Sequence, residues 1–380
     1  MEYPRVLVPE QLLALILLLI ASAVTSFVAT AIVKKAAESI GLVDRPNERK
    51  LHPEATPRVG GLAIIFGFGF PLLLLSANSH ATELVTKNIT YLFAVLASGS
   101  LVVGLGVYDD LVGADAPKKF IVQTAAAIIL VAFGFHFDVI SIAGFTFNLG
   151  FLGSVATIVW IVGVINAVNF IDGMDSLATI VSITIAVAFA TIAIIRHDVF
   201  SLVIMSALAG SLIGFFWWNK PPAKIFMGDT GSLFIGLVLA ACSIAKPSKS
   251  PTVVAIGGPI LALALPVLDT LIVMKQRFGL SSVRVGDRLQ RMFTADRRHI
   301  HHILVHRFGS AAKAVMSIWL ITLLFSAAAV LTVIDKTKMI GYLVSAIGFL
   351  TMIILRYGRR GAREERDDEL ESDVRKRAGA

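Results

Sequence analysis

Aspartates occur as close pairs at two points in a sequence that is otherwise rich in apolar residues. Asp109 and Asp110 are adjacent, and Asp172 and Asp175 lie three positions apart, shortly after Asn169. Two neighbouring carboxylates repel each other, which raises one of their pKa values unless a cation holds them. Carboxylates completed by substrate phosphates are the usual ligands of Mg²⁺. The first pair therefore indicates a magnesium site and the second a dense polar site; for each, the polar end of an ordinary helix is the alternative.

A further aspartate, Asp229, lies between glycines in the segment 226–232. Glycines on either side allow a backbone to approach a phosphate or a metal closely, and Lys224 adds a positive charge nearby. Phe226 offers a flat face on which a base could stack, although such a ring more often packs against lipid or core. A helix cap formed by the hydroxyls that follow Asp229 is the structural alternative.

Histidines and arginines cluster near residue 300. Arg297 precedes His299, His301 and His302 within six residues, which predicts a cationic patch. Arginine matches the geometry of phosphate with two parallel hydrogen bonds, so the patch indicates phosphate binding. Zinc binding is weaker because the segment has no cysteine, and attraction to anionic lipid headgroups is the remaining alternative.

Long apolar runs separate these clusters. Hydrophobic residues make up 56% of the chain and charged residues 16%, against about 25% charged residues in soluble domains. A run of about 20 apolar residues crosses a bilayer, and it must be helical because lipid offers no partner for backbone groups. The sequence therefore predicts an all-α, polytopic membrane protein. Eleven transmembrane helices are expected, near residues 11–33, 60–76, 89–108, 120–136, 151–168, 177–195, 199–216, 233–245, 252–274, 314–334 and 339–355.

The distribution of basic residues predicts the topology. Most of the 34 Lys and Arg residues fall in alternate loops, and basic loops mark the cytoplasmic side. The N-terminus is thus expected outside and the C-terminus in the cytoplasm, and the net charge of +8 requires no nucleic-acid partner. Residues 1–356 form a single transmembrane catalytic domain, and 357–380 form a charged cytoplasmic tail that is expected to be disordered. Every acidic and histidine cluster then faces the cytoplasm.

Two local features interrupt the helical pattern. The outer loop at 137–150 alternates apolar and polar residues, which predicts a small β-hairpin. Pro259 and Pro266 lie inside the ninth predicted span and should bend or break that helix.

The chain resembles the polyprenyl-phosphate N-acetylhexosamine-1-phosphate transferases of glycosyltransferase family 4, which are relatives of the phospho-MurNAc-pentapeptide transferases. Any one of the shared motifs is weak, but their order and their common membrane face make the combination specific. The resemblance extends from about Asp44 to the last span and rests on residues 44–46, 57–61, 109–110, 169–175, 226–232 and 299–302.

The resemblance implies a reaction. A UDP-sugar and polyprenyl phosphate would give polyprenyl-diphosphate-sugar and UMP, with Mg²⁺ as cofactor and Mn²⁺ as a possible substitute. N-acetylglucosamine-1-phosphate and undecaprenyl phosphate are the expected reactants, in the initiating step of a cell-envelope glycopolymer such as lipopolysaccharide or teichoic acid. The enzyme would be a multi-pass protein of the cell membrane, active at the cytoplasmic face and a possible homodimer.

The resemblance also implies roles for residues. Asp229 would bind the metal with help from Asp110, and Asp109 would deprotonate the lipid phosphate. Four aspartates are therefore expected in the catalytic site: Asp109, Asp110, Asp172 and Asp175. The expected nucleotide-sugar contacts are Asn169, Phe226, Lys50, Arg58, Arg297, His299, His301 and His302.

Three alternatives stay open. One aspartate could act as a nucleophile with a phospho-enzyme intermediate, but direct attack is favoured because a lipid phosphate is already a nucleophile. A pentapeptide-linked donor is disfavoured by Arg58 and by the spacing of His299 and His301. A transporter would place its charges near the bilayer midplane rather than at one face. One departure from the family is Ser176, where Gly is usual.

Overall fold

The computed structural model describes residues 9–44, 55–76, 88–137, 139–142, 145–244, 257–278 and 298–358. Helices dominate these ranges. They are α1 (Pro9–Ser39), α2 (Gly61–Ser76), α3 (Ile89–Val112), α4 (Ala116–Ala132), α5 (Phe151–Ile171), α6 (Leu177–Ile195), α7 (Val199–Asn219), α8 (Gly228–Ser243), α9 (Gly257–Ala262), α10 (Ala264–Phe278), α11 (Ile300–Phe308), α12 (Ala311–Val333) and α13 (Lys338–Tyr357). A 3₁₀ turn, Asp335–Thr337, joins the last two.

Helix length and apolar composition confirm a helical membrane protein. Within the described ranges, seven helices are long and apolar enough to cross a membrane: α1, α3, α5, α6, α7, α12 and α13. The shorter helices α2 and α8 are also apolar. Each predicted span overlaps helical residues of the structure. The short helix α11, which carries two of the clustered histidines, was not predicted.

The ninth predicted span is interrupted, as its prolines indicated. Helix α9 ends at Ala262, Leu263 forms a turn, and α10 begins at Ala264. Pro266 has no N–H to donate to the carbonyl four residues earlier, so a continuous helix loses a hydrogen bond there. The predicted part of this span before residue 257 lies outside the described residues.

Two small antiparallel sheets complete the fold. The predicted hairpin is present as β3 (Val139–Ile142) paired with β4 (Phe145–Asn148). A second pair, β1 (Val43–Asp44) with β2 (Thr56–Pro57), was not predicted. It returns the chain to the end of α1 before α2 begins.

Helix α8 is the centre of the packed interior. Residues 230–241 of this helix are all buried, and α2, α3 and α5 surround it. By contrast, α1 and α13 expose large apolar side chains along their length. A helix that is apolar on all sides is stable inside a large core or in lipid, and this chain uses both environments.

Glycine allows α3 and α8 to approach closely. A Cβ added at Gly106 would lie 2.6 Å from the backbone nitrogen of Thr230, closer than real Cβ atoms approach any atom. Asp110 follows Gly106 by four residues and so lies on the same face of α3. The contact therefore brings Asp110 to the start of α8.

We predict that Gly106→Ala destabilises the protein, whereas Gly104→Ala in the same helix does not. A Cβ at Gly104 would meet no atom within 4 Å, so this variant controls for helix propensity. Overpacking a tight contact costs about 1–3 kcal/mol. Thermal unfolding in detergent should show a lower midpoint for Gly106→Ala alone. Equal midpoints for the two variants would contradict the close contact.

Candidate active site

The carboxylate of Asp110 binds the first residues of α8. Its Oδ1 accepts a hydrogen bond from the backbone N–H of Asp229 at 2.9 Å. Its Oδ2 accepts from the N–H of Thr230 at 3.0 Å and from the Thr230 hydroxyl at 2.6 Å. A helix N-terminus has unpaired N–H groups and a partial positive charge, which favour an anion there. The fully buried Asp110 side chain therefore caps α8 from another helix.

Gly228 makes room for this cap. Its φ is +71°, in the left-handed region that favours glycine. A Cβ at this position would lie 2.7 Å from Oδ2 of Asp110. Glycine near Asp229 was expected to admit a phosphate or a metal, and the structure shows that it admits the Asp110 carboxylate.

A lysine bridges two of the predicted aspartates. The Nζ atom of Lys119 lies 2.8 Å from Oδ2 of Asp109 and 2.6 Å from Oδ2 of Asp229. The other oxygen of Asp109 accepts from the N–H of Ala114 at 2.6 Å. All three charged side chains are mostly buried, with exposed fractions of 24% for Lys119, 10% for Asp109 and 18% for Asp229.

Lys119 received no role from the sequence patterns. It belongs to the first turn of α4, and only residues 113–115 separate α3 from α4. This short connection is the signal that could have identified it, because a lysine so soon after an aspartate pair cannot lie far from it.

The contacts of Lys119 with Asp109 and Asp229 bear on whether the site could bind Mg²⁺. Asp109 and Asp229 hold one positive group between them, and carboxylate oxygens are the ligands that Mg²⁺ prefers. No group of three or more acidic, histidine or cysteine side chains in the described part of the chain could hold a metal ion. Mg²⁺ commonly binds through one or two carboxylates and substrate phosphates. The residues therefore fit Mg²⁺ bound together with a phosphate.

Asn169 joins the end of α5 to the same region. Its Nδ2 donates to the hydroxyl of Ser232 at 2.8 Å, and that hydroxyl donates to the carbonyl of Gly228 at 3.1 Å. Asn169, which was predicted to contact the nucleotide sugar, therefore lies beside the start of α8. Hydrogen bonds through Ser232 connect it to Gly228, the residue before Asp229.

Asp172 lies immediately after α5, which ends at Ile171. Burial raises the pKa of Asp172 to about 8, and the negative charges of Asp229, Asp110 and Asp175 add to this increase. Repulsion among carboxylates favours the neutral form of one of them. The structure thus brings Asp172 into the electrostatic field of the other predicted aspartates.

Asp175 holds a loop. Its Oδ2 accepts a hydrogen bond from the N–H of Ala223 at 2.9 Å, in the connection between α7 and α8. Asn219 supports the same connection: its Oδ1 accepts from the Thr179 hydroxyl at 2.7 Å, and its Nδ2 donates to the carbonyl of Ile225 at 3.1 Å. Sequence patterns did not indicate Asn219, because its partners Ser176 and Thr179 are distant in sequence.

Phe226 lies in the same connection between α7 and α8. The Phe226 N–H donates to the carbonyl of Pro57 at 2.7 Å, and its carbonyl accepts from Gly60 at 2.9 Å. The side chain of Phe226 is half-buried. Its backbone is therefore fixed on both sides while part of the ring stays accessible.

Ser176 adopts a backbone conformation that favours glycine. Its φ is +60° in the left-handed region, which costs a non-glycine residue about 1 kcal/mol or more. The N–H of Ser176 donates to Oδ1 of Asn219 at 3.1 Å. The same turn is thus formed with serine, at some cost in strain.

Arg58 lies at the edge of the site. Its Nη2 is 3.7 Å from Oδ1 of Asp110, and 40% of its side chain is exposed. The exposed guanidinium remains available to a ligand. Lys50 and Arg297, which were also predicted to bind the nucleotide sugar, lie outside the described residues.

The histidine segment packs against the turn after α5. A Cβ on Gly173 would lie 2.5 Å from Nε2 of His301, so glycine is required for this contact. His301 also stacks on His299 and lies beside His302, at ring-centroid distances of 5.9 and 4.2 Å. The predicted histidine and aspartate clusters therefore meet.

The prediction of a cationic patch is wrong for His301. Burial lowers the pKa of His301 to about 3, and repulsion from His302 lowers it further. The ring is therefore neutral at physiological pH. Its Nδ1 is buried and has no hydrogen-bond partner among the described residues. His301 thus offers a ligand hydrogen bonds and shape rather than positive charge.

Buried carboxylates, a bridging lysine and a capped helix N-terminus at one site of a helical membrane protein define a class: membrane enzymes that act on phosphorylated substrates. Comparison with known proteins supports this class. The family model described as glycosyl transferase family 4 matches residues 92–246, which include Asp109, Asp110 and Asp229.

Relatives cover most of the chain. A protein of Bacillus subtilis described as a probable undecaprenyl-phosphate N-acetylglucosaminyl 1-phosphate transferase is 35% identical over 84% of this chain and 86% of its own length. A decaprenyl-phosphate N-acetylglucosaminephosphotransferase of Mycolicibacterium smegmatis is 33% identical over 94% and 92%. A phospho-N-acetylmuramoyl-pentapeptide-transferase of Rubrobacter xylanophilus is 30% identical over 74% and 84%. The chain belongs to glycosyl transferase family 4, as its motifs predicted.

The raised pKa of Asp172 predicts a pH-dependent stability. Asp172 binds its proton more tightly in the folded than in the unfolded protein. The folded state is therefore destabilised as pH rises from the ordinary pKa of 3.8 toward about 8. In metal-free buffer, the thermal midpoint of the wild type should fall through this window, and Asp172→Asn should reduce that fall. Asp115→Asn is the control, because 80% of that side chain is exposed. Parallel curves for wild type and Asp172→Asn would contradict the assignment.

Proposed function

We propose that this protein transfers N-acetylglucosamine-1-phosphate from UDP-N-acetylglucosamine to undecaprenyl phosphate, and that UMP is released. The observation that carries this proposal is the cation position shared by Asp109 and Asp229, which Lys119 occupies at 2.8 and 2.6 Å. The names of the relatives support a polyprenyl phosphate acceptor and an N-acetylglucosamine phosphate donor group. The product would initiate a cell-envelope glycopolymer.

The reaction is a direct phosphoryl transfer. An oxygen of the lipid phosphate attacks the β-phosphorus of the donor, and the bond from that phosphorus to the bridging oxygen breaks. The electron pair leaves with UMP. Since the second pKa of a phosphate monoester is about 6, the acceptor is mostly a dianion at neutral pH, and Asp109 takes up any remaining proton. A protein nucleophile is unnecessary.

The main task of the protein is to position two anionic phosphates and to neutralise their charge. Lys119 is the cationic group that lies between Asp109 and Asp229, and we assign it a share in neutralising this charge. Asp229 would hold Mg²⁺, for which Mn²⁺ could substitute, and the bound ion would neutralise charge on the donor diphosphate. Asp110 has both oxygens engaged at the N-terminus of α8, so its role is to fix Asp229 in place.

Donor recognition uses the residues around the turn after α5. Phe226 stacks on the uracil, and Asn169 and Asp172 line the nucleoside site, while Asp175 holds the loop that carries Phe226. Contacts with the phosphates and the sugar come from Lys50, Arg58, Arg297, His299, His301 and His302. Of these, His301 contributes as a neutral hydrogen-bonding group.

We further propose eleven membrane crossings, with the N-terminus outside and the C-terminus in the cytoplasm. Support comes from the alternation of basic loops and from the positions of the acidic residues at helix ends. Asp109 lies near the end of α3, Asp172 follows α5, and Asp229 lies in the first turn of α8. The site then faces the cytoplasm, and the protein can act as a homodimer.

The test is a transfer assay with purified protein in detergent, polyprenyl phosphate and a panel of UDP-sugars, scored for labelled lipid and UMP. We predict product with UDP-N-acetylglucosamine, loss of product with EDTA, and recovery with Mg²⁺. Lys119→Met should lower the rate about 10²–10³-fold, because it removes a positioned charge. Its neighbour Lys118 is the matched control, since 59% of its side chain is exposed and it pairs only loosely with Asp115.

Lys118→Met should change the rate by about two-fold or less, as expected for a surface substitution. Equal losses for the two lysine variants would show that the bridge is not part of the reaction. No UMP from any donor, with folded protein, would overturn the proposed function.

A further inference from the structure

A buried arginine lies in the final turn of α13, the last helix that the structure describes. Arg356 lies in the final turn of α13, and only 1% of it is exposed. Its Nη1 donates to Oδ1 of Asp269 in α10, and its Nη2 donates to the backbone carbonyl of Arg298 at 2.9 Å. A single guanidinium therefore binds both α10 and the residue that precedes His299.

Asp269 extends these contacts to the histidine segment. Its Oδ1 also accepts from the N–H of Ile300 at 3.0 Å, and its Oδ2 lies 2.8 Å from Nδ1 of His299. Both Asp269 and His299 are buried. A carboxylate accepts hydrogen bonds and does not donate them, and Oδ1 of Asp269 already accepts from Arg356 and from Ile300. The proton of His299 therefore lies on Nδ1, and Nε2 is the ring nitrogen left to contact another group.

His299 is in turn aligned with the nucleotide-sugar side of the site. Its ring lies 5.3 Å from the ring of Phe170, the residue after Asn169. It stacks at an angle of 10° on His301, which packs on Gly173 in the turn between Asp172 and α6. A rotation of His299 would disturb both of these contacts.

We propose that Asp269 and Arg356 are positioning residues for the transfer reaction: Arg356 orients Asp269, and Asp269 fixes the ring orientation and the tautomer of His299, so that Nε2 is presented to the diphosphate-sugar donor. This inference rests on the proposed function. It gives α13 a part in substrate positioning that acts through Asp269 and His299 rather than through direct contact with the substrate. A carboxylate that accepts a hydrogen bond from one ring nitrogen of a histidine fixes the ring, so that the other nitrogen is held in position for its ligand.

A purely structural role makes a different prediction. If Arg356 served only to dock α13, the neighbouring arginine that docks the same helix would be equivalent to it. Arg307 in α11 is that neighbour: its Nη1 donates to the carbonyls of Ile354 and Leu355 at 3.1 and 2.7 Å. Within the described part of the chain, no hydrogen bond or ion pair joins Arg307 to Asp269 or His299, so Arg307→Gln is the matched control.

The double variant is chosen to avoid a lone buried charge. Removing one member of a buried ion pair leaves the other uncompensated, which is strongly destabilising. Asp269→Asn is therefore made together with Arg356→Gln, and the single Asp269→Asn variant is the second test. The double variant retains polar groups at both positions but lacks the ionised acceptor for His299.

The measurement combines nuclear magnetic resonance and kinetics on the full-length protein in detergent. With isotope-labelled histidine, the ring-nitrogen shifts of His299 are assigned by their loss in His299→Gln. We expect the wild type and Arg307→Gln to show His299 protonated on Nδ1, and the double variant to lose this signature. The kcat/KM for the UDP-sugar should fall about 10–100-fold in the double variant, by analogy with the loss found when a carboxylate that orients a metal-binding histidine is removed.

Two results would overturn the inference. The first is an unchanged His299 signature in both the single and the double variant. The second is a loss of kcat/KM in Arg307→Gln equal to that of the double variant. Failure of the proposed function is distinguishable from both, because the wild type would then give no product with any donor while the His299 signature still reported on Asp269.

Discussion

The buried carboxylate of Asp110 accepts hydrogen bonds from the N–H groups of Asp229 and Thr230 and from the Thr230 hydroxyl at the start of α8, and the geometry of the site depends on this cap. Burying a carboxylate costs free energy unless its oxygens accept hydrogen bonds. Burying a helix N-terminus likewise costs free energy unless its N–H groups find acceptors. Each satisfies the other. The close contact of Gly106 with Thr230 and the left-handed turn at Gly228 make the cap possible, and Asp229 is thereby fixed beside Lys119.

Electrostatics then determines what the site can bind. Asp109, Asp229 and Lys119 form a cluster with one more negative than positive charge, and Asp172 adds a carboxyl group whose ionisation its neighbours oppose. Such a cluster is balanced by an additional cation. A cation of this kind in turn attracts phosphate, and Arg58 lies exposed at the margin. Phosphoryl transfer needs this combination of positioned positive charge and little covalent participation by the protein.

The helices could be predicted because lipid leaves an apolar run no alternative to a helix. The acidic clusters could be predicted because charged groups are expensive near a bilayer. The sequence could not indicate which neighbours these groups would have. Lys119 looked like one loop charge among many, Asp175 proved to hold a loop, and His301 is neutral through burial. The Arg356–Asp269–His299 contacts join residues far apart in the chain, so no local pattern could reveal them.

The central claim is that the group transferred is a sugar phosphate rather than a sugar. The most direct test uses UDP-N-acetylglucosamine labelled with radioactive phosphorus in the β-phosphate, mixed with purified protein, Mg²⁺ and polyprenyl phosphate. The account predicts that the label moves to the lipid and that unlabelled UMP is released. Label recovered in UDP, with the sugar alone on the lipid, would contradict it.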